Sequence, residues 1–356
     1  MKKVGILTIN DNNNYGNRLQ NYAISIVLTN LQCNPITIKN CPLINKKDKL
    51  YVLRLLKFYI ERIRNKKNNN IRLSYFEDFN RNIKFTKRNI TPYSNISYKY
   101  DYVIVGSDQV WNPNFNRFRD VDLLTFANDN QKVAFAASFG VNQLPEHLKD
   151  YAKNKLKTFK AISVREDAGK KIVEELTGRL DVEVLVDPTM LLSEEEWNKV
   201  SKRPQQLKKE KYILNYFLGE IKEEWKLQID RIAKENNCQI INILDKQSLF
   251  YKTGPSEFLY LEKNAFMVCT DSFHSSVFSI IYNTPFIVFD RHQKSVVSMN
   301  SRIDTLLSKF KLESRRFKGE ITTDLLQCDY TEAKKILEKE KEKSINFLKR
   351  ALEIQE

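Results

Sequence analysis

The sequence predicts an α/β protein in two halves, and three observations carry that prediction. Short apolar segments of β-preferring residues recur along the chain, and most end in a polar or charged cluster. Stretches of helical periodicity fill the intervals, the pattern of strand–helix–strand units on a parallel sheet. The length of 356 residues exceeds one ordinary core, so two domains are the default. Ser201–Lys211 is polar, basic and contains a proline, and is the candidate linker. It divides residues 1–200 from 201–330, with residues 46–99 as a basic insertion in the first half and 331–356 as a terminal helix.

Taken in order, Val4–Ile9 is an apolar strand and Asn10–Asn17 a polar loop. Arg18–Leu31 is a helix with Leu19, Tyr22, Ala23, Ile26 and Val27 on one face, and Pro35–Lys39 is a second strand. The opening loop holds one glycine, and the chain has neither GxGxxG nor a Walker A motif. An ordinary dinucleotide or P-loop site is therefore disfavoured. Leu50–Arg64 interleaves apolar and aromatic residues with Arg54, Lys57, Arg62 and Arg64. It reads first as a core-facing helix with a solvated basic face, and second as a basic amphipathic helix on a membrane surface. Asn65–Asn70 reads as a breaker, after which Phe76, Phe79 and Phe85 return to a core. Strands Tyr102–Val105, Val133–Ala137, Ala161–Val164 and Val182–Val186 follow. They run into Gly106–Asn112, Ser138–Gly140, Arg165–Asp167 and Asp187–Pro188, where an α/β domain places its site residues.

Beyond the linker the alternation restarts with strand Tyr212–Phe217, helix Glu220–Glu235, strand Ile240–Leu244, helix Ser256–Glu262 and strand Phe266–Cys269. Thr270, Asp271 and Ser272 are cap-type residues, and Val277, Phe278, Ile280 and Ile281 follow at helical spacing. Asn283-Thr284-Pro285 ends that helix, and Phe286–Phe289 is the last strand. Ser301–Phe310 and Thr331–Ile354 are helices, the second docked along one side through Ile336, Leu337, Ile345, Leu348 and Leu352. His274 falls in a first helical turn, where free amides and the helix dipole favour anions. It is either a titratable group beside a phosphate or carboxylate site, or a half-buried histidine in a capped helix.

Composition narrows the classes. An apolar content of 42% with 11% aromatic supports folded domains. The five cysteines form no CxxC pair and the three histidines are scattered, so neither a zinc or iron–sulfur site nor disulfides are expected. Met-Lys-Lys leads straight into VGILTI, too short for a signal-peptide core, and no apolar run is long enough to span a bilayer. The expected location is cytoplasmic, free or peripheral at the inner membrane face. Net charge is 59 − 44 = +15, and Lys46–Lys99, with fifteen Lys/Arg against four Asp/Glu, holds +11 of it. A local excess points to an acidic partner: phospholipid, a pyrophosphate-linked carrier or nucleic acid.

Seven segments, in order, resemble the polysaccharide pyruvyl transferase family. They are NYGNRLQNYA (14–23), YDYVIVGSDQVWNP (100–113), AFAASFG (134–140), ISVRE (162–166), LVDPTMLL (185–192), TDSFHSSVFSIIYNTPFIVF (270–289) and NSRIDTLL (300–307). The resemblance implies two Rossmann-like domains facing a cleft, a GT-B-like fold. It also implies transfer of pyruvate from phosphoenolpyruvate to a cell-surface glycan, as a ketal across two hydroxyls of one sugar. Phosphoenolpyruvate is then a donor substrate, and no cofactor is expected. Arg165 and His274 match family positions implicated in the active site, and Asp108 joins them as a candidate catalytic residue. Tyr15, Gly16, Asn17, Gln20, Ser107, Gln109, Ser138, Glu166, Asp271, Ser272, Ser275 and Arg302 are the candidate substrate-binding residues. Ser275 stands where many members have glycine and Ser272 where some have arginine, which leaves Arg302 or Arg291 to supply the second cation.

The residue types suit that chemistry. A donor with about three negative charges calls for arginine forks and helix-end amides. Ketal formation needs a proton delivered to the methylene carbon and protons removed from two hydroxyls, and a histidine titrating near neutrality does either. Blander readings stand beside each residue: Arg165 pairs with Glu166 or Asp187, and Asp108-Gln109 cap a turn. No metal is expected, since Asp108, Asp187 and Asp271 are isolated in sequence. The alternative function is a nucleotide-sugar glycosyltransferase of the same architecture, with Glu257 and Glu262 as candidate carboxylates. A non-enzymatic basic nucleic-acid-binding protein ranks below it, because no recognised module accompanies the basic segment; nucleic acid is therefore not an expected partner. A lipid-linked glycan acceptor would place Arg54, Lys57, Arg62 and Arg64 against an anionic membrane surface.

Overall fold

The computed structural model describes residues 1–10, 13–40, 66–90, 94, 96–115, 118–292 and 301–355. Six strands, β1 (Lys3–Leu7), β2 (Asn34–Thr37), β3 (Tyr102–Val105), β4 (Lys132–Ala137), β5 (Ala161–Val164) and β6 (Glu183–Val184), form one sheet in the order β2-β1-β3-β4-β5-β6. Four more, β7 (Tyr212–Tyr216), β8 (Gln239–Asn242), β9 (Met267–Thr270) and β10 (Phe286–Val288), form a second in the order β10-β9-β7-β8. These pairings are parallel throughout. Strand order reverses between β1 and β3 and again between β7 and β9, and such switch points open a crevice at the carboxyl ends of the strands. The central strands β3, β4, β7 and β9 are buried along their whole length, which their runs of Val, Ile, Ala, Phe and Cys permit.

One apolar cluster runs through both halves, from Val4 and Ile6 of β1 to Leu214 of β7 and Val268 of β9. At the seam Tyr15 stacks on Phe258 with ring centroids 4.6 Å apart, and Trp197 meets Phe278 edge-on at 5.1 Å. Buried Arg72 ties the helix Lys66–Asn80 across the same seam, donating to the carbonyls of Tyr251 at 3.1 Å and Asn13 at 3.2 Å. That helix starts inside the asparagine stretch read as a breaker. Burial of Phe76 and Phe79 against the core outweighs the modest helix preference of asparagine. The helix Glu146–Leu156 was not expected from sequence, although Leu148, Tyr151, Ala152 and Leu156 recur at helical spacing; only Ala152 and Leu156 are fully buried, among otherwise polar residues. Leu50–Arg64, with the cations suggested to meet a membrane, lies outside the described residues. Among the described residues no helix is long and apolar enough to cross a membrane.

The chain returns to its first half at the end. The helix Thr331–Ala351 sets Phe347 beside Phe135 of β4, centroids 6.1 Å apart, and Lys343 donates to the Val184 carbonyl of β6 at 3.2 Å. Lys2 then donates to the Leu352 carbonyl at 2.7 Å. The helix Ser301–Lys309 also lies against the first half, where the amide of Asp167 meets Thr305 Oγ1 at 3.5 Å. The second half of the sequence thus contributes side chains to both walls of the cleft.

Candidate active site

Between the two sheets lies a cavity of about 370 Å³ at both switch points. Asn17, Asp108 and Gln109 line it from the first half, and Ser272, His274 and Arg302 from the second. The strand-to-helix turn after β9 is built by Thr270, whose hydroxyl donates to the Tyr216 carbonyl at 2.6 Å and accepts from the Ser272 amide at 3.0 Å. Ser272 is the N-cap of the helix Phe273–Tyr282 but makes no side-chain cap hydrogen bond. Among the described residues, the first-turn amides at the positive end of the helix dipole are left without a side-chain acceptor.

His274 sits in that first turn, 7% exposed, with its Nε2 3.5 Å from Asp187 Oδ2. Its ring rests on Gly16: a Cβ there would lie 2.1 Å from the His274 Nδ1. Gly16 is therefore a place where only hydrogen leaves room for the imidazole. We expect Gly16→Ala to displace the ring and lower activity at least tenfold, with the fold retained. Unchanged activity beside an unchanged far-ultraviolet circular dichroism spectrum would refute that steric account.

Charge is distributed unequally behind and in front of the cavity wall. Arg165, 3% exposed, donates from Nη1 to Asp187 Oδ2 at 2.6 Å and from Nη2 to Asp108 Oδ1 at 3.3 Å. Asp187 also accepts from Ser107 Oγ at 2.8 Å, the Thr189 amide at 3.0 Å and Thr189 Oγ1 at 2.7 Å. Burial alone would raise the Asp187 carboxyl, but His274 and Arg165 outweigh it and hold the group far below the usual range. For Asp108 burial is likewise outweighed, by Arg165, His274 and Arg302, so it too is held low. Arg302 is treated differently. It is 7% exposed and, among the described residues, pairs with no carboxylate; burial and the repulsion of Arg165 pull it down to about 9. With its amide oxygen turned to the guanidinium, Gln109 accepts from Arg302 at 2.7 to 3.1 Å. The Phe273 ring lies against both cations, 4.2 Å from Arg165 and 5.9 Å from Arg302. The charges of Asp108 and Glu166 offset the burial of Arg302 only in part, and a buried cation so under-compensated gains most when an anion arrives.

The family model for polysaccharide pyruvyl transferases matches residues 14–293, which include every cavity residue named above except Arg302. The chain belongs to that family. Among solved structures it is similar to S. aureus MnaA with UDP, at 12% identity over 100% of this chain and 98% of that one, with a TM-score of 0.50. A glycosyltransferase from Rickettsia africae matches at 13% identity over 99% and 97%, TM-score 0.46. The UDP-GlcNAc 2-epimerase of Methanocaldococcus jannaschii matches at 15% over 95% and 99%, TM-score 0.42. At these identities the likeness is one of fold, and it agrees with two Rossmann-like halves facing a cleft, a GT-B-like arrangement. No curated protein sequence matches the chain.

In this member of the family, many motif residues brace the cavity rather than face it. Arg165 stands behind the wall, engaged by Asp187 and Asp108. Tyr15 is a core residue whose hydroxyl donates to the Thr253 carbonyl at 2.9 Å. Gly16 lies against the His274 ring. Gln20 donates to Thr8 Oγ1 at 2.6 Å and accepts from the Ser107 amide at 3.1 Å, while the Ser107 hydroxyl serves Ala136 and Asp187. Glu166 accepts from Ser138 Oγ at 3.0 Å and from the amides of Phe139 and Gly140 at 2.9 and 3.2 Å, so both Ser138 and Glu166 turn inward. Asp271 holds the amides of Leu218 and Gly219 at 2.7 and 2.8 Å and the Arg291 Nε at 3.3 Å. The Ser275 hydroxyl donates to Glu262 at 2.5 Å, away from the cavity. The common reason is that loops leaving parallel strands carry orphan backbone groups, which claim the nearest short polar side chain.

Sequence reasoning did not list Asp187, Asn14, Leu218 or Phe273 as site residues. Asp187 carries the same strand-end signal as Asp108, three residues past β6, but its reading as an ion-pair partner of Arg165 kept it off the candidate residues. The carboxylates suggested for a nucleotide sugar lie elsewhere. Glu262 is fully buried, its acid pushed well above the usual range by burial, and Glu257 accepts from the Gly254 amide at 3.1 Å at the start of the helix Pro255–Asn264.

Proposed function

We propose that this protein transfers pyruvate from phosphoenolpyruvate to two hydroxyls of one sugar in a glycan, releasing phosphate and forming a ketal. The observation that carries this reading is Arg302, a buried cation at the cavity with no carboxylate partner among the described residues, beside the uncapped N-terminus of the His274 helix. Together they favour a small ligand of high negative charge. Arg302 and the first-turn amides then hold the donor.

The proton inventory assigns the rest. Carbon 2 of the donor gains two oxygen substituents from the sugar and loses phosphate, while carbon 3 gains a proton and becomes a methyl group. Of the two hydroxyl protons released, one is equivalent to that proton and the other leaves with phosphate. His274, between Gly16 and Asp187, is the group placed to pass protons between hydroxyl and methylene carbon. Asp187 orients it, and the ionised Asp108 stabilises positive charge that develops there during the reaction.

Incubation with phosphoenolpyruvate and the glycan of the native host is the direct test. Phosphate release equimolar with pyruvate on the polymer is expected. Turnover of a nucleotide sugar, with phosphoenolpyruvate untouched, would replace this reading with that of a glycosyltransferase.

A further inference from the structure

We infer that a second cavity, at the carboxyl ends of β7 and β8, is a carbohydrate subsite for a neutral sugar of the acceptor, adjoining the sugar that is modified. The inference rests on the pyruvyl-transfer reading above and names where the polymer lies. This cavity measures about 460 Å³ and includes Asn215, Gly219, Ile221, Asn242 and Leu244 in its lining.

Asn215 and Asn242 are register partners on the adjacent parallel strands β7 and β8. Asparagine is depleted in strands, where its amide forfeits packing, so two side by side at a ligand-binding strand end need a reason. Asn215 is only 7% exposed, and among the described residues its Oδ1 has no hydrogen-bond partner. An unpaired buried amide is unfavourable by roughly 1–3 kcal/mol. A sugar hydroxyl supplies the missing donor, and the broad χ2 of asparagine lets the amide turn to meet it. Ile221 and Leu244 offer apolar surface for the C–H face of a pyranose ring.

Charge decides the ligand class. Lys226 against Asp230 and Asp245 gives 1 − 2 = −1 around this cavity, which disfavours a diphosphate and suits a neutral polyol. The two cavities share a wall. Leu218 lines the first and Gly219 the second, and the single carboxylate of Asp271 holds both amides, at 2.7 and 2.8 Å. A Cβ on Gly219 would lie 2.7 Å from the His292 carbonyl oxygen, which also accepts from the Glu220 amide at 3.1 Å, so the wall is a close approach of two backbone segments. A glycan crossing it sets one sugar before His274 and its neighbour over the asparagine pair.

Saturation-transfer NMR without phosphoenolpyruvate tests this, with lactose and chitobiose as neutral probes and UDP as competitor. We expect transfer to at least one disaccharide, weakened about tenfold in affinity by Asn242→Leu and by Asn215→Leu, as loss of an amide hydrogen bond predicts. Asn242 is only half-buried, so its variant keeps the test valid if the Asn215 variant fails to fold. In the transfer assay the same variants should raise KM for the glycan and leave KM for phosphoenolpyruvate unchanged. No signal from either disaccharide, signals unaltered in both variants, or displacement by UDP would each overturn the subsite. Disaccharide binding that survives while phosphoenolpyruvate proves inert would sink the reaction proposed above and leave the subsite standing.

Discussion

Replacing His274 by alanine is expected to lower pyruvyl transfer by a factor of about 10² to 10⁴, the usual range for loss of a positioned acid–base group. The geometry explains why no neighbour substitutes. Asp187 is committed to Arg165, Ser107 and Thr189, and both it and Asp108 are held in the ionised form, so neither carries a proton to give. Donor binding should change little, because the Arg302 fork and the helix-end amides remain. Kinetics should therefore show kcat collapsing while KM for phosphoenolpyruvate stays within a few-fold. Turnover close to that of the unmodified protein would remove His274 from the proton inventory.

The two cavity arginines are expected to fail in opposite ways when replaced by methionine. Arg165→Met leaves Asp187 and Asp108 buried with their shared cation gone, and removing one member of a buried ion pair costs about 3–5 kcal/mol. Denaturant unfolding should register that loss directly. Arg165→Lys keeps the charge but not the fork that meets both carboxylates, and should fall between the two. Arg302→Met removes a cation that burial and Arg165 already disfavour, so stability should hold or rise. Its loss should appear in the donor instead: one charge-assisted contact is worth about 1.5–3 kcal/mol, which raises KM for phosphoenolpyruvate roughly 10- to 100-fold. Equal destabilisation by both substitutions would mean that Arg302 is as fully paired as Arg165, and the anion-site argument would fall with it.

Much of the framework was legible in the chain because it follows from local rules. Tyr102–Val105 and Ala161–Val164 are strands with the boundaries expected, since short runs built on Val and Ile between polar clusters leave few other solutions. The turn that puts His274 in a first helical turn was equally visible, because cap residues followed by apolar periodicity act within a few positions. Local signals failed where packing decides. The helix Lys66–Asn80 forms across asparagines because Phe76 and Phe79 reach a core built from distant segments.

The sequence by itself determined the two parallel sheets, the strand ends that carry the cavity, and the family to which the chain belongs. It offered Arg165 as a catalytic group or an ion-pair partner of Glu166 or Asp187, and Arg302 or Arg291 as a second cation for the donor. Only the tertiary structure decided that Arg165 is neutralised by Asp108 and Asp187 while Arg302, arriving on a helix that lies against the first half, meets the cavity with no carboxylate in ion-pair contact among the described residues. It likewise decided that Gly16 makes room for His274 and that Glu166 and Ser275 turn inward. Periodicity and capping operate over a few residues and can be read along the chain. Charge compensation and close approach depend on distances between segments far apart in sequence, and those distances exist only once both halves have packed on their shared core.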